Sequence, residues 1–113
     1  LSYKELDQRS NQLGHYLREQ GVEPDDLVGI CLERSLEMLI GILGILKSGG
    51  AYVPIDPEYP TDRIDYMLKD ASIGLVLSSG VSSKVIKEKK DVSTFLLDKD
   101  WDLISGYSTG KLS

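Results

Sequence analysis

Four groups of residues in this sequence have types and spacings that could do chemistry. The segment "SGYSTGK", Ser105 to Lys111, has the flavour of a phosphate-binding loop. Such a loop needs two glycines with four residues between them, then Lys and Ser or Thr, set between a strand and a helix. Here Gly106 and Gly110 have three residues between them, and Leu112 follows Lys111. The run "DKDWD" puts Asp98, Asp100 and Asp102 at alternate positions, as at the start of a calcium loop. That loop also requires a glycine at its sixth position and a bidentate Glu at its twelfth. Leu103 and Thr109 stand there instead. His15 and Cys31 could form a base–nucleophile pair, but no third residue is spaced to orient the imidazole. A surface histidine and a buried core cysteine are the simpler reading. Asp62 and Asp65 have acid/base types, yet their place at a helix start is explained by the helix dipole. Trp101 reads as an anchor for the tail. Residue types and spacing therefore yield no catalytic constellation, no nucleotide cradle and no metal-ligand set.

The elements that would position such residues are clearer. The segment from Ser2 reads as a helix, because Ser2 and Glu5 have capping-box spacing and Leu1 and Leu6 can form a hydrophobic staple. Leu6, Leu13 and Leu17 mark one face, with Tyr3 and Tyr16 at its edges. Arg18 suits the last turn, and Gly21 is a left-handed stop. After the polar turn "EPDD", the apolar run Leu27 to Arg34 reads as a strand buried on both faces. Ser35 caps a helix over Leu36 to Lys47 that is apolar almost all round, the pattern of a buried helix. Gly41 and Gly44 lower helix propensity there, so close packing against a neighbour is the expected reason for them.

The stretch "LKSGGAYVPIDPEYP", Leu46 to Pro60, then changes direction twice. Gly49 and Gly50 stop the helix, "AYVPI" is a short strand with Pro54 near its end, and Pro57 and Pro60 stiffen the exit. Thr61 is expected to cap a third helix, with Asp62 in its first turn. Ile64, Met67, Leu68 and Ala71 form its apolar face. A buried strand over Ile73 to Ser79, a short helix over Ser82 to Lys89 and a strand over Ser93 to Leu97 complete the series. Alternating helices and strands imply an α/β fold with a mostly parallel sheet and right-handed crossovers.

Bulk properties narrow the function classes. The 113 residues suffice for one compact unit. Apolar residues make up 41% and charged residues 27%, as in a soluble globular protein. Thirteen basic against eighteen acidic residues give a net charge of −5, which offers no footprint for nucleic acid or an anionic membrane. The interrupted basic run Lys84 to Lys90 reads as the wet face of a helix. One cysteine excludes an internal disulfide and fits a reducing compartment, so a cytoplasmic location is expected. The most apolar stretch is shorter than the roughly 20 residues a membrane span needs. No secretory leader is visible. Both ends of the chain read as cut from something longer.

Two stretches go beyond pattern. "LSYKELDQRSNQLGHYLREQGV" resembles the first core motif and following helix of nonribosomal peptide synthetase adenylation domains, members of the adenylate-forming AMP-binding superfamily. "LKSGGAYVPIDPEYPTDRIDYMLKDAS" closely resembles the second core motif. Between them, "DLVGICLERSLEMLIGIL" is similar to the same family. Beyond them, "IGLVLSS" and "LLDKDWDLIS" sit where that family has its next strand and its Trp-containing approach to the nucleotide loop. The resemblance covers essentially the whole chain, so residues 1–113 are expected to be the N-terminal scaffold portion of such a domain, part of its larger N-terminal subdomain.

The resemblance implies an activity for the parent protein. It would join ATP and an amino acid to give aminoacyl-AMP, with Mg²⁺, and pass the acyl group to a phosphopantetheine thiol on a carrier domain. Cation and backbone-amide stabilisation would be needed as charge redistributes between two anions. Expected partners are the rest of the adenylation domain and the carrier and condensation domains, with neither nucleic acid nor membrane. No catalytic, cofactor-binding or metal residue carries over, because the family's nucleotide loop, ribose-binding Asp, substrate pocket and catalytic Lys belong to later segments. "SGYSTGK" departs from the nucleotide loop by an inserted residue and lacks the Pro-Lys-Gly that should follow, so Lys111 is not the catalytic lysine. Scaffold positions do carry over: Tyr3, Glu5 and Leu6 in the first motif, and Leu46, Lys47, Gly49, Ala51, Tyr52, Pro54 and Asp56 in the second. The alternatives are an acyl- or aryl-CoA ligase or a D-alanine–carrier ligase of the same superfamily, and a non-catalytic docking module that kept the scaffold. The 113 residues alone are expected to be inactive.

Overall fold

In the computed structural model, residues 2–33, 35–79, 92–110 and 112 are described. The chain runs α1 (Tyr3–Glu19), β1 (Leu27–Cys31), α2 (Leu36–Ser48), β2 (Ala51–Pro54), α3 (Thr61–Asp70), β3 (Leu75–Ser78) and β4 (Ser93–Leu96), then a short 3-10 turn at Trp101–Leu103. The four strands form one sheet in the order β2-β1-β3-β4. All three pairings are parallel, with Ile30 opposite both Pro54 and Leu77. The α/β expectation therefore holds, and the sheet described is wholly parallel.

Alternation along the strands splits the core into two layers, since successive side chains point to opposite faces. Val28, Ile30, Leu77 and Phe95 join Leu13, Leu17, Ile40 and Ile45 of α1 and α2 on one face. Cys31, Val76 and Ile55 meet Ile64 and Leu68 of α3 on the other. The glycines of α2 explain how closely the helices approach. A Cβ at Gly44 would lie 2.5 Å from Leu13 Cδ2, and one at Gly41 would lie 2.8 Å from Ile30 Cδ1. Close packing is thus why these residues interrupt a good helix.

Helix ends follow the expected chemistry at α1 and α2. Ser2 Oγ accepts the Glu5 amide at 3.1 Å, and Ser35 Oγ accepts the Met38 amide at 3.2 Å. Gly49 is left-handed at φ 98°, the Gly50 amide donates to Ile45 O and the Gly49 amide to Leu46 O, each at 3.1 Å. This is the Schellman stop, which gives two otherwise unpaired carbonyls a donor. Helix α1 ends the same way, with Gly21 at φ 99° and the Val22 amide on Leu17 O.

Several expectations need correction. Thr61 does not cap α3: it is the first helical residue, no side chain caps this end, and Pro60 precedes it at φ −54°. The fixed proline φ sets the helix entry, and Pro60 O takes the Arg63 and Ile64 amides. The third strand begins at Leu75 rather than Ile73, because Ser72 at φ 53° and the Ile73 amide on Leu68 O are consumed in stopping α3. Finally, α2 is not buried all round. Its inner face packs through Ile40, Gly41, Gly44 and Ile45, while Leu36, Leu39 and Leu46 remain 55%, 41% and 51% exposed. The strands over 27–34 and 93–97 are each shorter than expected, at Leu27–Cys31 and Ser93–Leu96. Leu1 of the staple, Arg34, the expected helix over 82–89 and the basic run lie outside the described residues.

Candidate functional site

Open parallel sheets hold ligands outside the carboxyl ends of their strands, where the strand order reverses. Here the chain goes outward from β1 to β2 and then back past β1 to β3, so the reversal lies between β1 and β3. At that point Ser78 Oγ donates to Cys31 O at 2.7 Å, joining the two strand ends. At the same carboxyl edge, but on the β1–β2 side of the sheet, opens a cavity of about 430 Å³ lined by Leu32, Met38, Pro54 and Tyr59 together with Glu33, Asp56 and Glu58. Asp56 is occupied in the turn, where its carboxylate accepts the Glu58 amide at 2.9 Å and its carbonyl the Tyr59 amide at 3.0 Å. The Arg63 guanidinium lies 4.3 Å from the centre of the Tyr59 ring, which fixes that wall. A second cavity, of about 370 Å³, lies at the opposite, amino-terminal edge of the sheet around Asp26, Gly74 and Ser93. The first cavity lies at the carboxyl edge, the side on which open parallel sheets hold ligands, and its ionisable lining is three carboxylates and Tyr59. It can supply one wall of a crevice.

The candidate chemistry of the sequence is dispersed by the fold. Cys31 is fully buried on the α3 side of β1, and its thiol is pushed up to about 11, first by burial and then by the negative charge of Asp56. Such a thiol is inert at neutral pH. His15 sits on α1, in the layer across the sheet, with Nε2 3.0 Å from Gly110 O, so the two form no pair. Asp100 accepts the Leu96 amide at 3.0 Å and closes the turn after β4, while Asp98 and Asp102 stay exposed. Among the described residues, no group of three or more His, Cys, Asp or Glu could hold a metal ion. Asp62 is exposed in the first turn of α3, and Asp65 is half-buried one turn later. Trp101 is half-buried against the α1–α2 layer, with Arg9 5.9 Å above its ring, and its carbonyl takes the Ile104 and Ser105 amides. It anchors the tail, as expected.

The tail packs on α1 through its carbonyls. A phosphate cradle turns backbone amides toward its ligand. Here Gln12 Nε2 donates to Ser105 O and Tyr107 O, at 3.0 and 3.2 Å, and Asn11 Nδ2 donates to Thr109 O at 2.9 Å. The segment presents carbonyls to α1 and is strapped along it. Sequence reasoning missed Asn11 and Gln12, because two polar residues on a helix carry no signal of a partner almost a hundred positions away. Lys111 lies outside the described residues.

Comparison with known proteins gives this scaffold its family. Residues 1–109 match the AMP-binding enzyme family. The chain belongs to that family. As an AMP-binding family member it is 48% identical over 100 residues to gramicidin S synthase 2 of Brevibacillus brevis, covering 88% of this chain and 2% of that protein. It is 61% identical over 77 residues to bacitracin synthase 3 of Bacillus licheniformis, covering 68% of this chain and 1% of that protein. Among solved structures, the nonribosomal peptide synthetase FmoA3 bound to α-methyl-L-serine-AMP superposes with a TM-score of 0.90 at 34% identity, over 100% of this chain and 12% of the other. MatB from Rhodopseudomonas palustris superposes at 0.81 with 26% identity, over 100% of this chain and 24% of the other. The two sequence motifs thus identify the family correctly, and the peptide-synthetase likeness is favoured over the ligase alternatives. The chain spans only a small part of the length of these synthetases, 2% of one and 1% of the other.

Proposed function

We propose that residues 1–113 are the N-terminal scaffold of an amino-acid-activating adenylation domain within a longer nonribosomal peptide synthetase. The observation that carries this is 48% identity to gramicidin S synthase 2 across 88% of the chain. In the whole protein, an amino-acid carboxylate attacks the α-phosphorus of ATP and pyrophosphate leaves. The resulting aminoacyl-AMP is a mixed anhydride that acylates a phosphopantetheine thiol, releasing AMP. Among the described residues no group of three or more His, Cys, Asp or Glu could hold a metal ion. We assign the ATP, Mg²⁺ and amino-acid sites to the remainder of the protein. This segment supplies the rigid parallel sheet and the carboxyl-edge wall at Pro54–Tyr59. Carrier and condensation domains of the same chain are its partners, and the setting is the cytoplasm. No described helix is long and apolar enough to cross a membrane.

The test is substrate-dependent ATP–pyrophosphate exchange by the full-length protein. Exchange with one or a few amino acids, and none with fatty or aryl acids, is the expected result. Exchange with fatty or aryl acids alone would move the protein to the ligase branch.

A further inference from the structure

Residues 105–110 and Leu112 return from β4 and lie along α1, held by bonds to their carbonyls and by apolar side-chain contacts. Gln12 grips two carbonyls, at Ser105 and Tyr107, and Asn11 and His15 grip those of Thr109 and Gly110 at 2.9 and 3.0 Å. Apolar pins flank these bonds. The Tyr107 ring meets Tyr16 edge-on at 5.7 Å, and Leu112 fills a notch at Gly14, where a Cβ would lie 3.0 Å from Leu112 Cδ2. Asn11 is 2% exposed, so without the strap its amide would lose its best partner in a place water reaches poorly. His15 must donate to the Gly110 carbonyl, since a carbonyl oxygen only accepts.

The strap is also tied to the second sequence motif. Asn11 Nδ2 lies 3.4 Å from Asp7 Oδ2, and Asp7 Oδ1 lies 2.9 Å from Lys47 Nζ. A continuous path of polar contacts thus runs from Lys47 through Asp7 and Asn11 to the Thr109 carbonyl.

We propose that the Asn11–Gln12–His15 strip is a main-chain clamp that fixes the course of residues 105–110 and so of the polypeptide that follows them. These three side chains are then positioning residues for ATP binding, a role that rests on the reading of the protein as an adenylation domain. The clamp holds carbonyls rather than side chains, so it sets a path without demanding a sequence.

The experiment uses the full-length protein with Asn11→Ala/Gln12→Ala/His15→Ala, the single variant His15→Gln, which keeps an N–H donor, and Ser2→Ala. The last weakens the α1 cap without touching the strap. Two readouts are taken: hydrogen exchange of amides 105–110 and the KM and kcat of ATP–pyrophosphate exchange. The clamp predicts exchange faster by about tenfold or more in the triple variant. It also predicts an ATP KM raised about three- to tenfold, with kcat changed less. His15→Gln should stay near wild type in both, and Ser2→Ala should leave the ATP KM unchanged. Unaltered hydrogen exchange in the triple variant overturns the clamp. Faster exchange with an unchanged KM overturns the positioning role. If the wild-type protein activates no amino acid, the adenylation reading fails and the positioning role with it, while hydrogen exchange still decides the clamp.

Discussion

Lys47 Nζ lies 2.9 Å from Asp7 Oδ1, and the same ammonium reaches the buried Ser10 hydroxyl at 2.7 Å. The contact joins the last turn of α2 to α1, and so joins the two sequence motifs that identify the family. Arg18 Nε adds a second tie, to Ser48 O at 3.3 Å. Each is modest, but together with Leu13 against Gly44 they fix the crossing of the two helices over the sheet.

The Lys47–Asp7 pair is half-exposed on one side and exposed on the other, so solvent screening limits it. A double-mutant cycle with Asp7→Ala and Lys47→Ala should give a coupling of about 0.5–1 kcal/mol in urea unfolding, smaller in high salt. A coupling of zero at low salt would show that the contact does not tie the helices.

Gly44→Ala places a Cβ against the Leu13 backbone-proximal atoms, 2.9 Å from its Cβ and 2.6 Å from its Cγ. Neither can swing away, so overpacking should cost about 1–3 kcal/mol despite the better helix propensity of alanine. At Gly41 the nearest atom is the flexible Cδ1 of Ile30, and alanine should cost less. Thermal or urea unfolding that ranks Gly41→Ala as the worse variant would contradict the packing described.

Ser72 ends α3 at φ 53°, the position where α1 and α2 use glycine. It is exposed and carries a Cβ in the left-handed region. Ser72→Gly should therefore stabilise the fold by about 0.5–1 kcal/mol. A destabilised variant would mean that the serine hydroxyl matters more than the backbone conformation.

Burial raises the Cys31 thiol from 9.0 to about 11, with Asp56 adding to the effect. The folded state thus holds the proton more tightly than the unfolded chain. Its contribution to stability is complete below about pH 9 and is lost as pH rises toward 11. Cys31→Ala should flatten the fall of stability across that window, and at pH 8 the native thiol should react with a disulfide reagent only as fast as the chain unfolds. Rapid labelling of the folded protein would contradict the buried position.

Much of this arrangement was legible because its determinants are local. Ser2 with Glu5, Ser35 before an apolar run, and Gly21 and Gly49 after one each announce a helix end within a few residues. The α3 start was misread because Pro60, not the hydroxyl of Thr61, sets the entry. The Ile73 boundary was misread because a left-handed serine leaves no mark as plain as glycine. The outer leucines of α2 read as buried since periodicity reports apolar faces, not what covers them. The family was legible from two motifs whose residues build the scaffold: Lys47 ties α2 to α1, and Gly49 and Pro54 shape backbone. The strap was not legible at all, since its acceptors are carbonyls that every residue possesses.

The most direct test of the account compares two proteins in one assay: the isolated 113 residues and the full-length protein, each in ATP–pyrophosphate exchange with the twenty amino acids. The full-length protein should exchange with its chosen amino acid, and the isolated segment should not rise above a buffer blank. Amino-acid-dependent exchange by the 113 residues alone would contradict the scaffold role.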